Sequence, residues 1–212
     1  MAAFGLLRAF EAFLARGAEE AHQARVRELK AAYERRTGAF TPEDSWFDAR
    51  SAAFWDDAIA GGFAGAVQDE TPEQARAYTR ALERAHRGLY RVQNTHGRFV
   101  LVCAISLVEL EIDPPSAGLA DALARAAGYV DGRVAGAMLD GAREIVLLPG
   151  AVFHPAFATA AIDALLPIAA KKQLSRAATL DALLRMDRAL QAMSRGKPAL
   201  AYRPEALTIA RG

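Results

Sequence analysis

Through the first third of the chain, apolar positions recur at spacings of three and four. Phe4, Leu7, Phe10, Leu14, Ala18, His22, Val26, Leu29 and Tyr33 form one such stripe, which predicts a helix over roughly residues 2–37. Gly38, in "RTGAF", stands just past its last turn, where glycine ends helices. "TPED" (Thr41 to Asp44) predicts the next start. Thr41 suits the cap, Pro42 the first helical position, and Glu43 and Asp44 oppose the positive helix end. Gly61 stops that helix. "TPEQ" (Thr71 to Gln74) has the spacing of a capping box and predicts a third helix reaching about Tyr90.

The period then changes. "RFVLVCAISLVELEID" (Arg98 to Asp113) is continuously apolar and then alternating, which predicts a buried strand leading into a half-exposed one. Pro114 and Pro115 close it, and a short helix follows over Leu119 to Ala127. "YVDGRVAGAML" and "REIVLLPG" flank Asp140-Gly141 and predict a hairpin. Helical spacing returns after Pro155 and runs to about Lys172. It resumes with Leu183, Met186, Leu190 and Met193 on one stripe before Gly196, and a last short piece begins at Pro204.

Helices, then strands, then helices predict an α+β fold. The expected parts are a helical segment over 1–92, a small antiparallel β-module (ββαββ) over 93–150, and C-terminal helices over 151–212. The last pack back on both others to form one compact unit.

Composition changes this picture little. The chain has 212 residues, 52% of them hydrophobic, enough for a core that needs no disulfide or metal. Lys and Arg number 26 against 25 Asp and Glu, so no global field draws the chain to nucleic acid or membrane. Residues 168–212, however, hold nine Lys/Arg and three Asp/Glu. Arg185, Arg188, Arg195 and Lys197 give this part a basic surface that points to an acidic partner. Nucleic acid is an alternative there, weakened because Tyr202 is the only aromatic side chain among these residues.

Cys103 is the single cysteine, which excludes an intrachain disulfide and fits a reducing, cytoplasmic setting. The first residues lack the basic start of a signal peptide. The apolar stretch over 145–170 is interrupted by Pro149, Gly150, His154, Pro155, Asp163 and Pro167, so no transmembrane segment is expected.

Few residues carry recognisable chemistry. His154 precedes Pro155 at a predicted helix start, where an imidazole can serve as a base or bind an anion; its simpler role is to close a strand–helix turn. Glu19 with His22, and Glu83 with His86, are two Glu-x-x-His pairs, each on one face of a predicted helix. Di-iron bundles use this pattern, so a divalent metal or di-iron centre is one alternative, with Asp44, Asp48, Asp56 and Asp57 as further ligands. Cys103 in an apolar strand is a poor nucleophile. Asp131, Arg133, Glu109 and Glu111 are expected on the solvated face of the sheet, or else along a polar groove.

Phosphate-binding glycine loops, nucleophile elbows and zinc signatures are missing. The leading expectation is therefore a non-catalytic protein-interaction or adaptor domain without a cofactor. It would engage a protein partner or form a homodimer, with Phe4, Phe10 and Phe13 on the first helix as docking residues. The alternatives are a metal-dependent or hydrolytic enzyme using Glu19, His22, Glu83 and His86, or His154, and a nucleic-acid-associated protein. Under the leading expectation the polar groups are scattered by folding and form no reactive centre.

Overall fold

The computed structural model describes residues 5–67, 76–113, 116–139, 142–193, 195 and 197–208. The fold is α+β, with helices before and after an antiparallel sheet.

The predicted first helix is two: α1 (Gly5–Ala18) and α2 (Gln23–Thr37), joined by a 3-10 turn over Glu20–His22. The break has a local cause. The Gln23 side-chain amide donates to the carbonyls of Gly17 and Ala18, taking the bonds a continuing helix would make. Gly17 lies against the Trp55 ring, where a β-carbon would come within 2.1 Å.

"TPED" forms a turn rather than a helix start: the Thr41 backbone N–H donates to Asp44 Oδ2, and α3 (Phe47–Ala58) begins later. It continues through a π turn over Ile59–Phe63, where Gly62 takes φ +112°, into α4 (Ala64–Ala66). Thr71 and Gln74 lie outside the described residues.

α5 (Arg76–Glu83) stops well short of Tyr90, because residues 86–95 form β1 (His86–Thr95). The boundary expected at residue 92 therefore falls inside a strand. His96 and Gly97, both at positive φ, make a two-residue hairpin loop into β2 (Arg98–Cys103). β3 (Glu109–Ile112), α6 (Ala117–Ala124), β4 (Val130–Leu139), β5 (Ala142–Leu147) and β6 (Val152–Phe153) complete the sheet. The expected ββαββ module thus carries an additional first strand, β1, and a short last one, β6. α6 starts at Ser116, whose hydroxyl accepts the Leu119 N–H. α7 (Thr159–Lys171), α8 (Arg176–Gln191) and α9 (Pro198–Ala201) close the chain.

The strand order is β3-β2-β1-β4-β5, with β6 on β4. The sheet curls until its outer strands approach, and the Asp113 N–H donates to the Ile145 carbonyl at 3.0 Å. Its concave side holds Tyr90, Leu101, Cys103, Val130 and Leu147, plugged by Leu123 of α6.

The convex side is covered by helices. α1 to α5 pack over Ala135 and Val146, and α7 to α9 pack over Leu89. Strand alternation sends Asp131 and Arg133 of β4 and Arg87 of β1 to this covered side. The expectation of a solvated face holds for Glu109 and Glu111 but fails for Asp131 and Arg133, because helices lie over them. No helix among the described residues is long and apolar enough to cross a membrane.

Candidate functional site

Between the convex sheet face and the helices, charged side chains converge. Arg87 on β1 donates to both carboxylate oxygens of Asp131 on β4, at 3.3 and 3.2 Å, and to Asp181 on α8 at 2.6 Å. Asp181 accepts from Arg36 of α2 at 2.8 Å. Arg36 also pairs with Asp57 of α3, which accepts from Arg133 of β4 at 2.8 Å. The result is an alternating relay: Asp131, Arg87, Asp181, Arg36, Asp57, Arg133. It ties α2, α3, α8, β1 and β4 together with three carboxylates matched to three guanidiniums.

Burial sets the electrostatics. It raises the carboxyl of Asp131 against the opposing pull of Arg87. At Asp181 burial also acts upward, but Arg87 and Arg36 outweigh it and hold that carboxyl below its ordinary value.

Beside the relay is a cavity of about 20 Å³, lined among others by Tyr33, Asp56, Asp57, Arg87, Asp131 and Arg133. That is room for about one water molecule and too little for an organic substrate. Asp56 stands apart from the relay. Its Oδ2 accepts the Gly150 N–H at 3.0 Å, while Oδ1 and the Tyr33 hydroxyl are buried without a hydrogen-bond partner.

His154 belongs to a second buried cluster. It does not cap a helix, since Pro155 is the cap of the 3-10 turn over Ala156–Ala158. Its Nδ1 lies 2.9 Å from the Tyr202 hydroxyl and 3.9 Å from Asp187 Oδ1. Arg50, only 2% exposed, donates to Asp187 Oδ2 at 3.1 Å and to the Leu184 carbonyl. Burial pulls the His154 imidazole down to about 4, so it is neutral at physiological pH. The ring itself is fully buried.

The two Glu-x-x-His pairs stay apart. Glu83 ends a helix and His86 begins a strand, so they share no helical face. His86 Nδ1 lies 2.7 Å from the Tyr90 hydroxyl and Nε2 lies 2.6 Å from Arg176 Nη1. Glu19 pairs with Arg16, and His22 meets the Phe63 ring edge-on. Among the described residues no three His, Cys, Asp or Glu side chains are placed to hold a metal ion.

Phe10 and Phe13 are core residues, 3% and 1% exposed, because α1 packs on its own chain. Phe4 lies outside the described residues. In the expected basic surface, Arg185 donates to the carbonyls of Arg36 and Thr208, and Arg188 to that of Ala39. Those two arginines pin loops, whereas Arg195 and Lys197 are exposed.

A different basic row stands free. Arg76 and Arg80 on α5 and Arg84 just past its end, four residues apart, are exposed and have no carboxylate partner among the described residues. Arg80 and Arg84 edge a groove of about 240 Å³ whose other walls are Ala77, Ala81, Gly136, Ala137 and Met138. Met138 is 67% exposed. The spacing of this row is visible in the sequence "ARAYTRALERA". A second surface groove, of about 370 Å³, runs between α6 and Phe153.

Nothing similar identifies the chain. A scan of protein-family models and searches of curated proteins and solved structures found no match.

Proposed function

We propose that the chain is a non-catalytic protein-interaction module. Its binding groove lies between α5 and the end of β4 and takes an acidic, partly apolar segment of a partner protein. The supporting observation is the arginine row. Arg76 and Arg80 on α5 and Arg84 just past its end lack carboxylate partners among the described residues, and Arg80 and Arg84 edge a groove walled by small apolar residues and an exposed Met138. Carboxylates at helical spacing would meet Arg80 and Arg84, and an apolar side chain would rest on Met138. A nucleic-acid strand would gain the charge contacts alone, because no aromatic side chain among the described residues lines this groove to stack on a base. A cytoplasmic location belongs to the same proposal and is compatible with the buried free thiol of Cys103.

The test is fluorescence anisotropy with a labelled helical peptide of alternating Glu and Leu blocks. The R80E/R84E variant should weaken binding at least about tenfold, a loss of about 1.4 kcal/mol. R195E should leave binding unchanged, and moderate salt should reduce it. Equal binding by R80E/R84E and the unaltered chain would sink the reading. Tight binding of a single-stranded RNA with none of the peptide would replace it with the nucleic-acid alternative.

A further inference from the structure

We propose that the cavity beside α3 is a proton site: Asp56 folds as a neutral carboxylic acid and shares the cavity with one water molecule and the Tyr33 hydroxyl. The first support is the charge count. The relay matches three carboxylates to three guanidiniums, and Asp56 is a fourth carboxyl with no cation of its own. Ionised, it would leave one uncompensated negative charge in the interior, which a protein avoids by binding a proton.

The surroundings of Asp56 agree with this count. Asp57 lies next to it on α3, Tyr33 faces the cavity from α2, Asp131 and Arg133 from β4, and Arg87 from β1. The Gly150 amide faces it from the turn after β5. Arg133 is the nearest source of positive potential, but it is committed to Asp57 at 2.8 Å. Burial pushes the Asp56 carboxyl well above the ordinary carboxylate range, and the pull of Arg133 does not offset it.

The vacancies fit a neutral acid. Oδ2 already accepts one backbone N–H, so the proton belongs on Oδ1, which lacks a partner. The cavity has room for about one water, and a buried water needs two to four polar partners. Asp56 Oδ1–H can donate to it, and the Tyr33 hydroxyl offers a second bond. The proton comes from solvent during folding and returns there when the cavity opens.

The experiment uses the full chain, labelled with carboxyl-¹³C aspartate, followed by infrared and NMR titration and by unfolding of the unaltered chain, D56N and Y33F. One aspartyl group should remain protonated at neutral pH in the unaltered chain, and its signal should be missing from D56N. Relative to D56N, the unaltered chain should lose stability as pH rises from the ordinary carboxyl range toward the folded value. The unfolding constants should diverge by about tenfold per pH unit in that window. Y33F should leave the protonated signal in place but lower its midpoint.

Carboxylates all ionised at neutral pH would overturn the proposal, whether or not D56N folds. So would a stability gap between the unaltered chain and D56N that does not move with pH. Stabilisation of the unaltered chain, but not of D56N, by sodium or ammonium would overturn it too, since a metal or ammonium ion would then supply the missing charge.

Discussion

Gly150 meets Asp56 through its backbone: its N–H donates to Oδ2 at 3.0 Å from so close that no β-carbon fits between them. This contact locks the turn after β5 onto α3. Both residues line the cavity beside the relay.

A β-carbon at Gly150 would come within 2.5 Å of Asp56 Oδ2 and within 2.6 Å of the Ala52 carbonyl and Ala53 Cα. Two of these neighbours are backbone and cannot swing aside. G150A should therefore cost about 1–3 kcal/mol in urea-induced unfolding, the usual range for overpacking. An unchanged midpoint would show that α3 can withdraw from the turn.

The relay is deep at one end and open at the other. Arg87 has a side chain 10% exposed, whereas Arg36 is 37% exposed. R87A strands Asp131 and Asp181 in the interior and should cost about 3–5 kcal/mol. R36A removes a partly exposed guanidinium while Arg87 still pairs with Asp181 and Arg133 with Asp57, so it should cost about 1 kcal/mol or less. Equal losses in chemical denaturation would contradict the assigned depths.

His154 gives the acid side of the stability profile. Its folded value is about 4, against the ordinary imidazole value of 6.5, so between those limits the unfolded chain binds the extra proton. Stability should therefore rise with pH from about 4 to about 6.5 and be lost as the solution is acidified. The contribution is on the order of 3 kcal/mol at 1.36 kcal/mol per unit. H154Q should flatten that part of the curve in thermal melts across the same pH range.

Much of the fold was legible from periodicity, and the failures have physical causes. The alternation of "VELEI" and the two apolar runs expected to pair correspond to β3, β4 and β5, while the expected turn residues Asp140 and Gly141 lie outside the described residues. The strand β1 was hidden because Leu82, His86 and Leu89 also satisfy a helical spacing, while the alternation of Arg87, Leu89 and Arg91 was the competing signal. The split of the first helix depends on Gln23 reaching back to Gly17 and Ala18, a side-chain bond that no periodicity encodes.

The relay was illegible for a different reason. Asp57, Asp131 and Asp181 are far apart in the chain, and each one alone looks like a surface residue. The polar groups that the sequence led one to expect scattered therefore meet at the relay. They converge in matched pairs, around a space too small for an organic substrate.

The central claim is that the relay holds the fold together while binding happens on the arginine row of α5. Replacing Arg87, Asp131 and Asp181 together with Met, Leu and Leu tests both halves, because swapping buried ions for apolar groups of similar volume is often nearly neutral. The decisive measurement is peptide affinity of the folded triple variant. The account predicts a folded chain, within about 2 kcal/mol of the original stability, that binds the acidic peptide unchanged. A folded triple variant that has lost the peptide would contradict it and make the buried relay part of the functional site.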